Sequence, residues 1–213
     1  MIDYQREFIE FSLACEVLRF GRFTLKSGRE SPYFFNAGLF NTGAHLSRLG
    51  QFYASTLMEV GIQADILYGP AYKGIPLACA AAIAMAGRTG AATPFAFNRK
   101  EAKIHGETGT VVGSPLAGQV LIVDDVITAG TSVRESVEII RAAGAVPCGV
   151  LILLDRRERG SGPRSALQEV VEEFRMPVYS VVSLDHVVEY LEQAGAAAEV
   201  AAIREYQSRY GAD

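Results

Sequence analysis

The stretch Val120–Ser132, VLIVDDVITAGTS, carries the densest chemistry in the chain. A hydrophobic run ends in two adjacent carboxylates, Asp124 and Asp125. Val126 and Ile127 follow, then Thr128, Ala129, Gly130, Thr131 and Ser132 lead into a helical pattern. Small residues let backbone N–H groups approach a phosphate closely, and a helix N-terminus adds the positive end of its dipole. The two carboxylates would repel that phosphate. Their natural partners are sugar hydroxyls or a cation carried by the ligand, so the spacing points to a sugar phosphate. The plainer reading is a solvent-facing acid pair before an ordinary helix cap, and it leaves the density of matched features unexplained. Neither G-x-x-x-x-G-K-[ST] nor G-x-G-x-x-G occurs, so this is a phosphate loop of another kind.

A second cluster is cationic. Arg99, Lys100, Lys103 and His105 fall within NRKEAKIHGETG (98–109) of an acidic chain. By itself such a run reads as a solvated loop. Its position between two core strands, and its length, favour a functional segment. Positive charge here could neutralise a diphosphate leaving group as its charge develops, and closure over it would exclude water. Lys73, in the glycine-flanked turn GPAYKG (69–74), is a further candidate for the same group. A third set is weaker by itself. Phe34 and Phe35 read as core, and Arg156 reads as an exposed neighbour of Asp155.

The elements that must hold these residues alternate in type. Residues 3–20 carry a helical stripe of Phe8, Phe11, Cys15 and Leu18. Residues 22–37 read as two short strands around a Ser-Gly turn, and 43–60 as a helix stopped by Gly61. Strands follow at 65–69, 93–98, 119–125, 146–155 and 177–184. A helix spans Gly74–Gly87 with Pro76 in its first turn. Another is expected from a Ser132–Glu135 capping box to Gly144. Residues 99–118 show no period and read as one long loop. The expected fold is α/β, a parallel twisted sheet flanked by helices. A small hood comes mainly from 1–40, the core from about 62–185, and a helical tail from about 186–213, all in one domain.

Composition sets limits. The 213 residues are 49% hydrophobic and 21% charged, which is globular usage. A chain of this length buries about 70% of its unfolded surface, so no disulfide or metal staple is required. Twenty basic against 24 acidic residues leave a net charge of −4. Nothing global therefore attracts nucleic acid or an anionic membrane. Cys15, Cys79 and Cys148 are widely spaced, and His45, His105 and His186 lack metal-ligand spacing. These features, with no signal-peptide pattern at the start, give the expectation of a reduced cytoplasmic protein. The longest apolar run, Ile75 to Ala86, is too short to span a bilayer.

VLIVDDVITAGTS resembles the phosphoribosyl-pyrophosphate (PRPP) loop of type I phosphoribosyltransferases. FGRFTLKSGRESPYFFNAG, YGPAYKGIP, FNRKEAK and LDRRERG extend the resemblance over nearly the whole chain, to the orotate phosphoribosyltransferase family. The resemblance implies transfer of a phosphoribosyl group from PRPP to orotate, releasing pyrophosphate, in pyrimidine nucleotide synthesis. It implies PRPP contacts from Lys26, Tyr72, Lys73, Arg99, Lys100, Lys103 and His105, and from each residue of Asp124–Ser132. It implies orotate contacts from Lys26, Phe34, Phe35, Thr128 and Arg156. Lys73, Lys103, Asp124 and Asp125 are the implied catalytic residues. A guanidinium offers the bidentate geometry that orotate's carboxylate prefers. Also implied are Mg²⁺ held mainly by PRPP rather than by the protein, and a homodimer that shares the 99–109 loop between subunits. The chain departs from the family pattern at Ile104, where an acid is frequent, and at Thr108, where a glycine is common. Two other readings are a phosphoribosyltransferase for a purine base and a non-catalytic PRPP-sensing regulator. The carboxylate-binding type of arginine in LDRRERG disfavours the first. The net charge and the cationic loop disfavour the second.

Overall fold

The computed structural model describes residues 1–25, 27–103, 109–160 and 162–212, with the backbone alone at Ala102, Lys103 and Gly109. Helix α1 (Asp3–Ala14) leads into a hairpin of β1 (Leu18–Thr24) and β2 (Glu30–Phe35), a two-stranded antiparallel sheet of its own. Then come α2 (Gly43–Val60), β3 (Ile66–Gly69), α3 (Gly74–Thr89), β4 (Phe95–Lys103), β5 (Gly109–Gly113) and β6 (Gln119–Val123). The chain ends with α4 (Thr131–Ala142), β7 (Val146–Asp155), α5 (Ala166–Phe174), β8 (Val178–Ser183), α6 (Leu184–Gln193) and α7 (Ala197–Tyr210).

The main sheet has the order β5-β4-β3-β6-β7-β8. All its pairings are parallel except β4–β5. Its central strands are uniformly apolar because both faces are covered. Val120 and Ile122 of β6, with Val150 and Ile152 of β7, join one buried cluster with Val133, Val137 and Ile140 of α4. Their neighbours Leu121, Val123, Leu151 and Leu153 point the other way. They meet residues of α1, α2, α3, α6 and α7 there, among them Phe8, Phe52, Leu77, Leu191 and Ile203. The strand order reverses between β3 and β6, since β3 continues to β4 on one side and β6 to β7 on the other. A crevice at the carboxyl ends of two such strands is where α/β sheets hold ligands.

Several boundaries differ from the sequence reading. The helix expected over 3–20 stops at Ala14, Glu16 turns left-handed at φ 56°, and Leu18 pairs with Phe35. Tertiary pairing of the hairpin overrides the helical stripe there. The α3 helix passes Gly87 and ends at Gly90, at φ 71°. Within the expected loop over 99–118, residues 99–103 and 109–113 are strand: β4 runs to Lys103 and pairs antiparallel with β5. An edge hairpin draws its stability from backbone hydrogen bonds and tolerates polar side chains on both faces, so it shows no hydrophobic period. The α5 helix was not expected, although its Ser165–Gln168 capping box is visible in the sequence.

Candidate active site

One cleft of about 1160 Å³ lies over the switch point between β3 and β6. Three turns and the hairpin line it. The β3–α3 turn gives Pro70, Ala71, Tyr72 and Lys73; the β6–α4 turn gives Asp124–Thr128 and Ser132. The segment after β7 gives Asp155–Gly160, and the hairpin gives Phe34, Phe35 and Arg29 among others.

The acid pair sits just beyond β6, where the chain still pairs with β7. The Asp124 N–H donates to the Leu151 carbonyl at 3.0 Å, and the Leu153 N–H donates to the Asp125 carbonyl at 2.9 Å. The buried Tyr53 hydroxyl donates to the Asp124 carbonyl at 2.8 Å. Both carboxylates are thereby fixed on a rigid support while remaining at the cleft. Asp124 accepts from the Asp125 N–H (2.9 Å) and from Ser132 Oγ (3.1 Å). Burial, and next the neighbouring Asp125 charge, push the Asp124 carboxyl up to about 6, against the pull of those two donors and Lys73. Asp125 accepts from the Val126 N–H at 2.9 Å and from Lys73 Nζ at 2.7 Å.

Gly130, at φ 72°, is the N-cap of α4, a left-handed geometry that favours glycine. The capping box expected at Ser132–Glu135 does not form. The helix starts two residues earlier, with Gly130 as its N-cap, and the Ser132 hydroxyl goes to Asp124 instead. Lys73 directly precedes α3. Gly74 is required there: a Cβ would lie 2.5 Å from Pro70 Cδ and 2.9 Å from the Val123 carbonyl oxygen. That close approach brings the Lys73 turn against the end of β6. The Ala71–Tyr72 peptide is cis, and the Ala71 N–H donates to Asn98 Oδ1 at 2.8 Å.

Arg156 follows β7. Its Nε and Nη2 donate to Glu158 Oε1 at 3.1 and 2.8 Å, and Nε also meets the Tyr33 hydroxyl at 3.2 Å. Tyr33 Oη donates to the same Glu158 oxygen at 2.7 Å. On the hairpin, Phe34 stacks with Phe23, ring centroids 5.5 Å apart. Phe35 turns toward Phe8, 6.5 Å between centroids, at the margin of the core.

The cleft thus gathers Phe34, Phe35, Tyr72, Lys73, Asp124, Asp125, Val126, Ile127, Thr128, Ser132 and Arg156 of the residues singled out in the sequence. Ala129, Gly130 and Thr131 complete the turn into α4 without lining the cleft. Arg99 and Lys100 lie on β4, also off its lining. Lys26, Ile104, His105, Thr108 and the Lys103 side chain lie outside the described residues. Residues that sequence reasoning missed include Glu158, Tyr33 and Asn98. All three stand inside or beside quoted motifs, but only their contacts in space give them a part.

The phosphoribosyl transferase domain model matches residues 39–182. An orotate phosphoribosyltransferase of Methylococcus capsulatus is 65% identical over 211 residues, 99% of each chain. One of Thiobacillus denitrificans is 60% identical, covering 99% of this chain and 100% of its own. The crystal structure of the Francisella tularensis orotate phosphoribosyltransferase superposes with a TM-score of 0.90 at 40% identity, covering 100% of this chain and 99% of that one. An acid pair and hydroxyl-rich turn at the switch point, an arginine lining the same cleft, and these full-length matches agree: the chain belongs to the orotate phosphoribosyltransferase family.

Proposed function

We propose that the chain transfers the 5-phosphoribosyl group of PRPP to orotate, giving orotidine 5′-monophosphate and pyrophosphate, a step of pyrimidine biosynthesis. The observation that carries this reading is one cleft lined by Asp124 and Asp125 at the end of β6 and by Arg156 at the end of the neighbouring β7. The turn Thr128–Ser132 at the start of α4 takes the 5′-phosphate through backbone N–H groups, hydroxyls and the helix dipole. Asp124 and Asp125 accept from the ribose hydroxyls and favour the positive charge that the sugar gains as the bond to pyrophosphate breaks. Lys73 leaves Asp125 for the departing diphosphate. Arg99, Lys100, Lys103 and His105 of the 99–109 segment complete the neutralisation. Arg156 pairs with the orotate carboxylate, while Lys26, Thr128 and the Phe34–Phe35 segment set the ring. Orientation and electrostatic stabilisation supply most of the acceleration.

Among the described residues no group of three or more His, Cys, Asp and Glu side chains could hold a metal ion. The pair Asp124–Asp125 offers oxygen atoms suited to a hard cation but too few for a cage of protein ligands. That donor set fits Mg²⁺ carried mainly by PRPP. When bound, Mg²⁺ supplies neutralising charge to the diphosphate. The assembly in this reading is a two-fold dimer in which each 99–109 segment serves the partner's site, and the protein works in the cytoplasm. Orotate consumption, followed with PRPP and Mg²⁺, tests the reaction. Turnover with a purine base in place of orotate, or no pyrophosphate release with any base, would overturn it.

A further inference from the structure

The segment after β7 carries Arg156 in a cluster whose other members, Glu158 and Tyr33, have no part in the reaction scheme. Glu158 is nearly buried, with 14% of its side chain exposed, and so is Arg156, with 19%. One oxygen, Glu158 Oε1, receives Arg156 Nε, Arg156 Nη2 and the Tyr33 hydroxyl within 3.1 Å. Tyr33 is fully buried, and its ring lies 5.0 Å below the guanidinium carbon. A guanidinium has two hydrogen-bonding edges. Glu158 takes the Nε/Nη2 edge. Among the described residues the Nη1/Nη2 edge has no protein acceptor, which leaves a bidentate fork for an incoming carboxylate.

The backbone of this segment is held as firmly. Arg157 is left-handed at φ 53°, with its N–H on Asp155 Oδ1 at 2.9 Å. The end of α7 then clasps the segment. The Arg159 N–H donates to the Tyr210 carbonyl, and the Ala212 N–H to the Arg157 carbonyl, both at 2.9 Å. Without Glu158, Arg156 would be a long side chain with many rotamers, and ordering it at binding would weaken the fork's grip.

We propose that Glu158, seated on Tyr33, is the positioning residue that aims Arg156 at the carboxylate of the base. This inference rests on the reading of Arg156 under Proposed function. Glu158 touches no reacting atom and acts only through the arginine. Two consequences follow. Its loss affects the acceptor base and not PRPP. Its loss also has nothing left to affect once Arg156 is gone.

The test is a double-mutant cycle on the full chain with orotate, PRPP and Mg²⁺. Arg156→Ala raises the orotate KM strongly. Glu158→Ala raises it about tenfold, the scale of a lost charge-assisted contact, and leaves the PRPP KM nearly unchanged. Glu158→Gln, which keeps shape and one acceptor oxygen, recovers part of the loss. Arg156→Ala/Glu158→Ala is no worse than Arg156→Ala alone. Inhibition by uracil, the same ring without the carboxylate, is the same in Glu158→Ala and wild type, whereas general disruption of the cleft would weaken it too. An unchanged orotate KM in Glu158→Ala, or additive losses in the double variant, overturns the inference while the Arg156 reading survives. An unchanged orotate KM in Arg156→Ala overturns both. If Glu158→Ala does not fold, Glu158→Gln carries the same cycle with a several-fold effect.

Discussion

Lys73 Nζ donates to Asp125 Oδ2 at 2.7 Å, tying the turn before α3 to the end of β6. The lysine side chain is 61% exposed and the aspartate 9%. An ion pair with one exposed partner contributes little to stability. Both charges lie at the cleft, and each compensates the other there. In the proposed reaction the diphosphate draws the lysine away and the ribose hydroxyls take its place on the carboxylate.

Asp125→Asn keeps the shape and removes the charge. Its charge matters most against a cationic transition state, so kcat should fall on the order of a hundredfold while the PRPP KM changes modestly. Steady-state kinetics with varied PRPP measure both. An unaltered kcat would remove Asp125 from the reaction.

Asp124 makes a stability prediction with a definite sign. Its folded carboxyl titrates at about 6 against 3.8 unfolded. Between those values the folded chain binds more protons than the unfolded one. Stability therefore falls as pH rises from about 4 to 6, and the full penalty stands above 6. Asp124→Asn can keep the contacts with Ser132 and the Asp125 N–H without the charge. It should stabilise the protein at pH 8 by about 1–3 kcal/mol, and the gain should vanish near pH 4. Thermal unfolding of both proteins at the two pH values checks this.

The same group sets an acid limb for activity. If the charged form of Asp124 serves the ribose, kcat/KM for PRPP should drop below about pH 6 in the wild type. In Asp124→Asn the residual activity should lose that limb. A profile flat from pH 5 to 8 in the wild type would contradict the assignment.

Gly74→Ala puts a Cβ against Pro70, the Gly69 backbone and the Val123 carbonyl, where little can yield. Overpacking of this kind costs about 1–3 kcal/mol, a Tm loss of roughly 2–10 °C for a chain of this size. Because the clash lies beside Lys73, kcat should fall as well. Calorimetry and kinetics on the same preparation test the two effects together.

The shared-site reading predicts complementation. Lys103→Ala and Arg156→Ala should each be nearly inactive as homodimers. Mixed equally and allowed to exchange subunits, half the dimers become mixed, and each mixed dimer has one intact site. Activity should then recover to roughly a quarter of wild type. A tagged-subunit pull-down shows exchange independently, and exchange without recovery would place the loop in its own subunit's site.

The sequence by itself determined the sheet-and-helix alternation and the turn that leads from β6 into α4, for a physical reason. Val120–Val123 and Val150–Leu154 are buried on both faces, so their apolar runs are continuous and legible. The TAGTS turn is local, and its glycine and small residues are readable in one dimension. The edge hairpin of β4 and β5 was not legible, because backbone pairing leaves no hydrophobic period. Nor was the end of α1, which long-range pairing between Leu18 and Phe35 decides. Only the tertiary structure put Lys73 on Asp125, 52 residues away, and Tyr33 on Glu158, 125 residues away. Those contacts depend on strand order and on how close two turns approach, and no local pattern of residues encodes either.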